Sequence, residues 1–302
     1  MPLVSMQAMM KHAQANGYGL GYYEAWDSYS LEAVLEAAEE ERSPVILGFG
    51  GMMADTLWLD EGGVEMLGAL GSVVARRARV PVCLLLNEAQ TLEQALKGMD
   101  AGFNAVMLDT SAWPWRQAVE AVGALTGAAH ARGVTGEAEP GRRPDATATG
   151  IDNSAAHLTD PEQAAEFLVS TGADCLAVSI GNVHLLTAHT AVVDLARLEA
   201  IHRRVSAPLV IHGGTGFPPH AVPAAIARGV AKFNVGTALK EAFLRGAAES
   251  INSGRGRLSV HALLGSHKDT DFLTAGKTAM KTEVRERMQL YRSAGQSMEP
   301  CS

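Results

Sequence analysis

The strongest constraint on the fold is a regular alternation of short apolar segments with segments of helical periodicity. Most of the apolar segments lack polar alternation, as do strands that are covered on both faces. The strand candidates are GLGYY (19–23), PVILGFG (44–50), PVCLLLN (81–87), AVMLDTS (105–111), VTGEAE (134–139), CLAVSIGN (175–182), PLVIHGG (208–214) and KFNVGT (232–237). Eight strands, each followed by a helix-like segment, predict an α/β fold, a (β/α)8 TIM barrel with a C-terminal helical extension.

The main structural alternative is an open, doubly wound parallel sheet. Such a sheet seldom needs eight evenly spaced units, and no G-x-G-x-x-G motif follows the first strand candidate. No linker-like segment divides the chain, so we predict one domain over 1–302, with the barrel at about 15–250 and a helical tail at about 251–302. The longest connection, 140–158, is rich in Gly, Pro, Asp, Thr and Ser, which is typical of a functional lid.

Charge and cysteine content restrict the partners and the compartment. The formal net charge of −8 argues against a nucleic-acid partner. No apolar run approaches the roughly 20 residues that span a bilayer, so no membrane partner is expected. The three cysteines, Cys83, Cys175 and Cys301, lack the spacing of a metal site, and we expect reduced thiols in a cytoplasmic protein.

Polar side chains collect where the strand candidates end. They are Asn87 and Glu88 after strand three, Asp109 at strand four, Glu137 and Glu139 on strand five, His184 after strand six, His212 in strand seven, and Asn234 to Thr237 closing strand eight. Glu24 and Asp27 end strand one, and either could face the pocket or the surface. Barrel active sites are built from the C-terminal ends of the strands, so these groups predict a shared central pocket.

Glu88, His184 and His212 are the candidate metal ligands. Two imidazoles and a carboxylate from strands three, six and seven can converge on one divalent cation and leave positions open for substrate. The alternative is that each is a hydrogen-bonded polar group of the interior.

Two glycine-rich loops are candidates for binding a phosphate group. HGGTG (212–216) and NVGT (234–237) follow strands seven and eight, where barrels commonly bind phosphate through backbone N–H groups and hydroxyls. The residues predicted to bind substrate or phosphate are Gly213, Gly214, Thr215, Asn234, Gly236 and Thr237.

These residues resemble the class II, metal-dependent fructose-bisphosphate aldolase family. The resemblance covers nearly the whole chain and includes AAEEERSPVIL (37–47), DAGFNAVMLDTS (100–111), EAEPGR (137–142), LTDPEQAAEF (158–167), LAVSIGNVH (176–184), VIHGGTG (210–216) and GVAKFNVGT (229–237). It implies a (β/α)8 barrel, cleavage of a ketose phosphate into two trioses, a zinc ion held by three histidines, and a homodimer or larger homo-oligomer. Two of the zinc ligands match His184 and His212.

The sequence departs from the family pattern in strand three. The family's third zinc histidine falls on Glu88, and its acid/base aspartate falls on Asn87. A carboxylate ligand shifts the metal preference from zinc toward manganese, iron or cobalt. An amide cannot transfer a proton at neutral pH, but it can donate a hydrogen bond, so we expect Asn87 to orient a substrate oxygen.

The identity of the general base stays open among three carboxylates. In the family, carboxylates matching Asp109 and Glu139 lie near a second cation position. The lid, which in the family carries an acidic pair, has only Asp145 nearby. Asn87, Asp109, Glu139 and Asp145 are therefore the catalytic candidates.

Three functions are consistent with this sequence. The first is a metal-dependent lyase that cleaves or forms a C–C bond in a ketose or ketose phosphate through a metal-stabilised enediolate. The second is an epimerase, isomerase or dehydratase that acts on an α-hydroxy carbonyl compound with the same metal site. The third is a non-catalytic aldolase-like subunit or binding protein, which the missing acid/base residues suggest.

Overall fold

Eight parallel strands close into a barrel in the part of the chain that the structure describes, which confirms the predicted (β/α)8 architecture. The structure is a computed structural model, and it describes residues 3–141, 146–147, 150–151, 158–182, 191–253, 259–296 and 298. The barrel strands are β1 Leu20–Glu24, β2 Val45–Gly50, β3 Val82–Ala89, β4 Ala105–Leu108, β5 Thr135–Ala138, β6 Cys175–Ala177, β7 Leu209–Ile211 and β8 Val230–Val235. Each strand pairs with the next, and β8 pairs with β1 to complete the closure.

Helices surround the barrel and alternate with its strands. They are α1 Met6–Asn16, α2 Ser28–Glu41, α3 Val64–Arg77, α4 Leu92–Asp100, α5 Trp115–His130, α6 Pro161–Thr171, α7 Leu195–His202, α8 Val222–Ile226, α9 Thr237–Asn252, α10 Val260–Leu263 and α11 Phe272–Leu290. Short helical turns at Thr56–Trp58 and Leu59–Gly63 precede α3, and a two-stranded antiparallel pair joins Ala146–Thr147 to Gly150–Ile151. Among the described helices, none has both the length and the apolar character needed to cross a bilayer.

Helix α1 closes the N-terminal end of the barrel. Met6, Met9 and Met10 are fully buried and pack in one cluster with inward-facing strand residues such as Cys83 and Leu85. Unbranched methionine side chains fill the irregular space at a barrel floor well. Since the described residues fill this end with apolar side chains, the C-terminal ends of the strands are the end of the barrel at which a ligand pocket can open.

The C-terminal helix α11 is fixed to the barrel by its N-cap residue, Asp271. Its Oδ1 accepts a hydrogen bond from the Leu273 N–H (3.0 Å), and its Oδ2 accepts from the Tyr29 hydroxyl (2.8 Å) and from the N–H groups of Ser266 (2.7 Å) and His267 (2.9 Å). Burial acts to raise the pKa of Asp271, but these donors outweigh it and hold the pKa below its usual value.

We expect Asp271→Asn to lower the free energy of unfolding by ~2–3 kcal/mol, because a cap and several hydrogen bonds to an ionised group weaken together. In the wild type this contribution is present above about pH 4, the ordinary value for an aspartate, and is lost as the pH falls through the lowered pKa. Urea unfolding of both proteins at several pH values measures the difference.

The control is Asp100→Asn, which removes an aspartate whose side chain is 71% exposed and lies 3.6 Å from Arg132. Its effect should stay within about 0.5 kcal/mol. Equal stability losses in the two variants would contradict the role assigned to Asp271.

Candidate active site

A pocket of about 250 Å³ opens at the C-terminal ends of β1, β3, β7 and β8. Its lining includes Tyr22, Asn87 and Glu88 deep in the barrel, with Thr215 and Lys240 nearer the mouth. The loops at Gly213 and at Asn234, Val235, Gly236 and Thr237 also line it. Most of the strand-end residues that the sequence predicted to share a pocket therefore lie together.

Glu88, Glu139 and His212 form a buried cluster beside this pocket. Glu88 Oε1 lies 3.3 Å and Glu139 Oε2 lies 3.5 Å from His212 Nδ1. One potential ligand atom from each residue lies within 4.8 Å of the others. Two carboxylates and an imidazole at these separations fit a single divalent cation.

A distortion of β3 brings Glu88 into the cluster. Successive side chains of a strand point to opposite faces, so a regular β3 that turned Asn87 inward would turn Glu88 toward the helices. Instead Glu88 has a left-handed backbone, φ 53°, and the pairing of β3 with β4 changes register between Leu86 and Ala89. Such a conformation costs about 1–3 kcal/mol for a residue other than glycine, and it places two adjacent polar side chains on one side of the strand.

The ring of His212 is oriented by Glu137. His212 Nε2 lies 2.9 Å from Glu137 Oε1, and Lys232 Nζ donates to Glu137 Oε2 at 2.8 Å. Burial acts to raise the pKa of Glu137, but Lys232 and His212 outweigh it, so the pKa is lowered and the carboxylate is ionised. Nε2 therefore carries a proton and donates it to Glu137, and Nδ1 is the ring nitrogen that faces Glu88 and Glu139.

Lys232 also orients the amide of Asn87. An ammonium group can only donate, so the 2.7 Å contact with Lys232 Nζ identifies Asn234 Oδ1 as an acceptor. The Nδ2 of Asn234 then faces Asn87 Oδ1 at 3.4 Å. The remaining polar group of Asn87 is its Nδ2 donor, which can hydrogen-bond to a ligand in the pocket.

The two glycine-rich loops meet at the mouth of the pocket. Gly213 has a left-handed backbone (φ 73°), and a Cβ at Gly214 would lie 2.7 Å from the Asn234 carbonyl oxygen, so only glycine fits there. Thr215 Oγ1 accepts from the N–H of Ala238 in the first turn of α9 (3.2 Å). The loops thus pack against each other, with Gly214 as the contact point.

Besides Asn87, which lines the pocket, three predicted catalytic or metal residues are not placed in the cluster. Asp109 Oδ1 accepts from the Ser111 N–H (3.0 Å) in a local turn, and Asp109 is not part of the metal-competent cluster formed by the described residues. His184 and Asp145 lie outside the described residues, as does much of the predicted lid. Asp27, an open candidate, is the N-cap of α2.

Lys232, Tyr22 and Lys240 are site residues that the sequence reasoning missed. A lysine inside an apolar strand, two positions before Asn234 and so on the same face, is the signal that could have identified Lys232. Tyr22 and Lys240 carry no comparable signal. Glu24, one of the open candidates, does line the pocket.

Comparison with known proteins agrees with this geometry. The family model for class II fructose-bisphosphate aldolase matches residues 4–296. A sulfofructosephosphate aldolase of Alkalicoccus urumqiensis is 31% identical over 297 residues, which cover 97% of this chain and 98% of that protein. A fructose-bisphosphate aldolase of Geobacillus stearothermophilus is 31% identical over 311 residues, which cover 99% of this chain and 100% of that protein. The solved structure of the YdjI aldolase of Escherichia coli K12 superposes with a TM-score of 0.79 at 26% sequence identity. The match covers 98% of this chain and 100% of the YdjI chain.

The chain belongs to the class II fructose-bisphosphate aldolase family. It is a metal-dependent, aldolase-like lyase, and the family implies a divalent metal ion. The relatives are named aldolases, so neither the epimerase, isomerase or dehydratase nor the non-catalytic alternative is favoured.

The buried Lys232–Glu137 pair should be essential for the stability of the site. We expect Lys232→Met to lower the free energy of unfolding by about 3–5 kcal/mol, because it leaves the Glu137 carboxylate buried without its ammonium partner. The double variant Lys232→Met with Glu137→Gln should be clearly more stable than Lys232→Met alone. Urea unfolding of the wild type and both variants tests this, and equal stability of the two variants would contradict it.

Proposed function

We propose that this aldolase cleaves or forms a C–C bond in a ketose or ketose phosphate, with Glu88, His184 and His212 holding one divalent cation. The observation that carries the proposal is the buried cluster in which His212 Nδ1 faces the carboxylates of Glu88 and Glu139. His184 enters from the sequence pattern. When bound, the cation would polarise the substrate carbonyl and stabilise negative charge on the enediolate.

The formal charges of the cluster support a divalent cation. Glu88, Glu137 and Glu139 are buried within contact distance of His212, and Lys232 supplies one positive charge. A divalent cation among these carboxylates would lower the cost of burying them together. Zinc is the family metal, and the carboxylate of Glu88 makes manganese, iron or cobalt suitable as well.

Asn87 is assigned the role of orienting the substrate. The hydrogen-bond chain from Lys232 through Asn234 leaves the Nδ2 of Asn87 as a donor toward the pocket. This donor can hold an aldehyde or hydroxyl oxygen of the substrate at the deep end of the pocket. It cannot transfer a proton at neutral pH, so the base is another residue.

Glu139 is assigned the proton-transfer role. Its Oε2 lies within the cluster, 3.5 Å from His212 Nδ1, whereas Asp109 Oδ1 is engaged in a local turn. Asp145 remains a candidate from the sequence. A carboxylate beside a polarised substrate is positioned to accept the proton of the hydroxyl on the β-carbon during cleavage. In the direction of bond formation it can accept a proton from the carbon next to the carbonyl.

The loops that contain Gly213, Gly214, Thr215, Asn234, Gly236 and Thr237 are assigned to the phosphate or hydroxyl end of the substrate. Five of these residues line the pocket, and Gly214 packs beneath Asn234. We further propose a cytoplasmic homodimer or larger homo-oligomer. The buried free thiols Cys83 and Cys175 suit a reducing compartment, and sedimentation velocity measures the assembly.

The metal assignment predicts near one equivalent of divalent metal in the purified protein, by elemental mass spectrometry. Glu88→Ala should lose most of it, because the variant removes a charged ligand. Chelator should abolish cleavage of a ketose or ketose phosphate, and manganese, zinc or cobalt should restore it. Glu249→Ala, which removes an exposed carboxylate of α9, serves as the control and should retain the metal. Absence of metal from the wild type after incubation with all three ions would overturn the assignment.

The proton-transfer assignment predicts that Glu139→Gln keeps the metal but loses about 100-fold or more in kcat. Metal content and steady-state kinetics on the same preparations separate this role from that of a ligand. Loss of the metal together with activity would instead make Glu139 a ligand and move the base to Asp109 or Asp145.

A further inference from the structure

Glu24 places a carboxylate at the mouth of the pocket, beside the start of α9. It is the last residue of β1, and its side chain is only 13% exposed. Lys240 Nζ, from the first turn of α9, donates to its Oε1 at 2.6 Å. The pair therefore joins two elements that both line the pocket.

Two glycines make room for this carboxylate. A Cβ at Gly236 would lie 2.2 Å from Glu24 Oε2, and a Cβ at Gly50 would lie 3.1 Å from Glu24 Oε1. These residues flank β1 on both sides, at the ends of β2 and β8. The Glu24 carboxylate thus occupies a niche directly against the N-cap residue of α9.

Without the Glu24 carboxylate, this position would suit an anionic group of the substrate. The N-terminus of a 16-residue helix favours negative charge through its N–H groups and dipole, and Gly236 offers no side chain to cap α9. Lys240 belongs to the described lining of this pocket, and it contacts Glu24. Glu241 lines the same pocket, so a phosphate here would face two carboxylates and one lysine.

The pocket also presents a neutral hydroxyl to its ligand. Tyr22 is 2% exposed and lines the pocket, and its hydroxyl has no hydrogen-bond partner within the described residues. Burial raises its pKa, and the carboxylates of Glu24, Glu88 and Glu137 raise it further, so the hydroxyl stays protonated. A phenol donor and a carboxylate acceptor in one pocket match the hydroxyl groups of a sugar.

We propose that Glu24 is a specificity-determining residue, which fills the anion position at the start of α9 and selects a ketose whose nearby end carries a hydroxyl group instead of a phosphate. This inference rests on the proposed function, because it names the substrate class of the same pocket. Lys240 holds Glu24 in place, and Tyr22 donates to the substrate.

Binding of inorganic phosphate tests the proposal without turnover. Isothermal titration calorimetry should detect no saturable phosphate binding to the wild type in the millimolar range. Glu24→Gln should show saturable phosphate binding, about tenfold or more tighter than the detection limit set by the wild type, because a like charge is removed and Lys240 is released. Adding Lys240→Met to Glu24→Gln should abolish the gain. Glu249→Gln, the same charge change at an exposed site of α9, should behave as the wild type.

Saturable phosphate binding by the wild type would overturn the proposal, and that measurement stands even where a variant fails to fold. An unchanged affinity in a folded Glu24→Gln, checked by circular dichroism, would overturn it as well.

Turnover gives a second and separate readout. With metal-loaded enzyme, Glu24→Gln should shift the ratio of kcat/KM toward a ketose phosphate, relative to its unphosphorylated counterpart, by about tenfold or more. An unchanged ratio would count against the role of Glu24. If no ketose of either kind is cleaved, the proposed function fails, while the phosphate titrations still decide the assignment of the anion position.

Discussion

The candidate site depends on one buried lysine. Lys232 is fully buried and can only donate hydrogen bonds, so each group that it contacts must present an acceptor. Through Glu137 it orients the ring of His212, and through Asn234 it orients the amide of Asn87. A change of one side chain would therefore disturb the His212 ring and the Asn87 amide together. This coupling explains why a costly buried charge is retained in the barrel interior.

Left-handed backbone at Glu88 is the second physical requirement of the site. Alternation along β3 allows only one of two adjacent residues to face the barrel interior. The register change beside Glu88 relieves that limit, and the strained backbone is tolerated because paired strands hold both ends of the segment. Strain at this point, and not in a surface turn, is consistent with selection for a side chain that reaches the cluster.

The fold could be predicted from the sequence because each strand is an apolar run with a helix behind it, and all eight candidates became barrel strands. The position of the pocket could be predicted from the same pattern, since parallel strands bring their C-terminal ends together. The inward turn of Glu88 could not be predicted, because periodicity carries no signal for a bulge in an apolar strand. Lys232 was missed because a single lysine in a strand is usually an edge or end residue. The ion pair of Glu24 with Lys240 depends on contacts between β1 and α9, which are distant in sequence.

The two departures at positions 87 and 88 are best understood as one exchange. Relative to the family pattern, Asn87 removes a carboxylate from the pocket and Glu88 replaces a neutral imidazole with one. The formal charge of the pocket is thus unchanged, and a negative group has moved one residue along β3. A pocket that had lost its metal would be under no pressure to conserve this charge, because buried carboxylates are costly without a cation. The unchanged balance therefore supports our proposal of a divalent-ion centre with a harder ligand set and with proton transfer away from position 87.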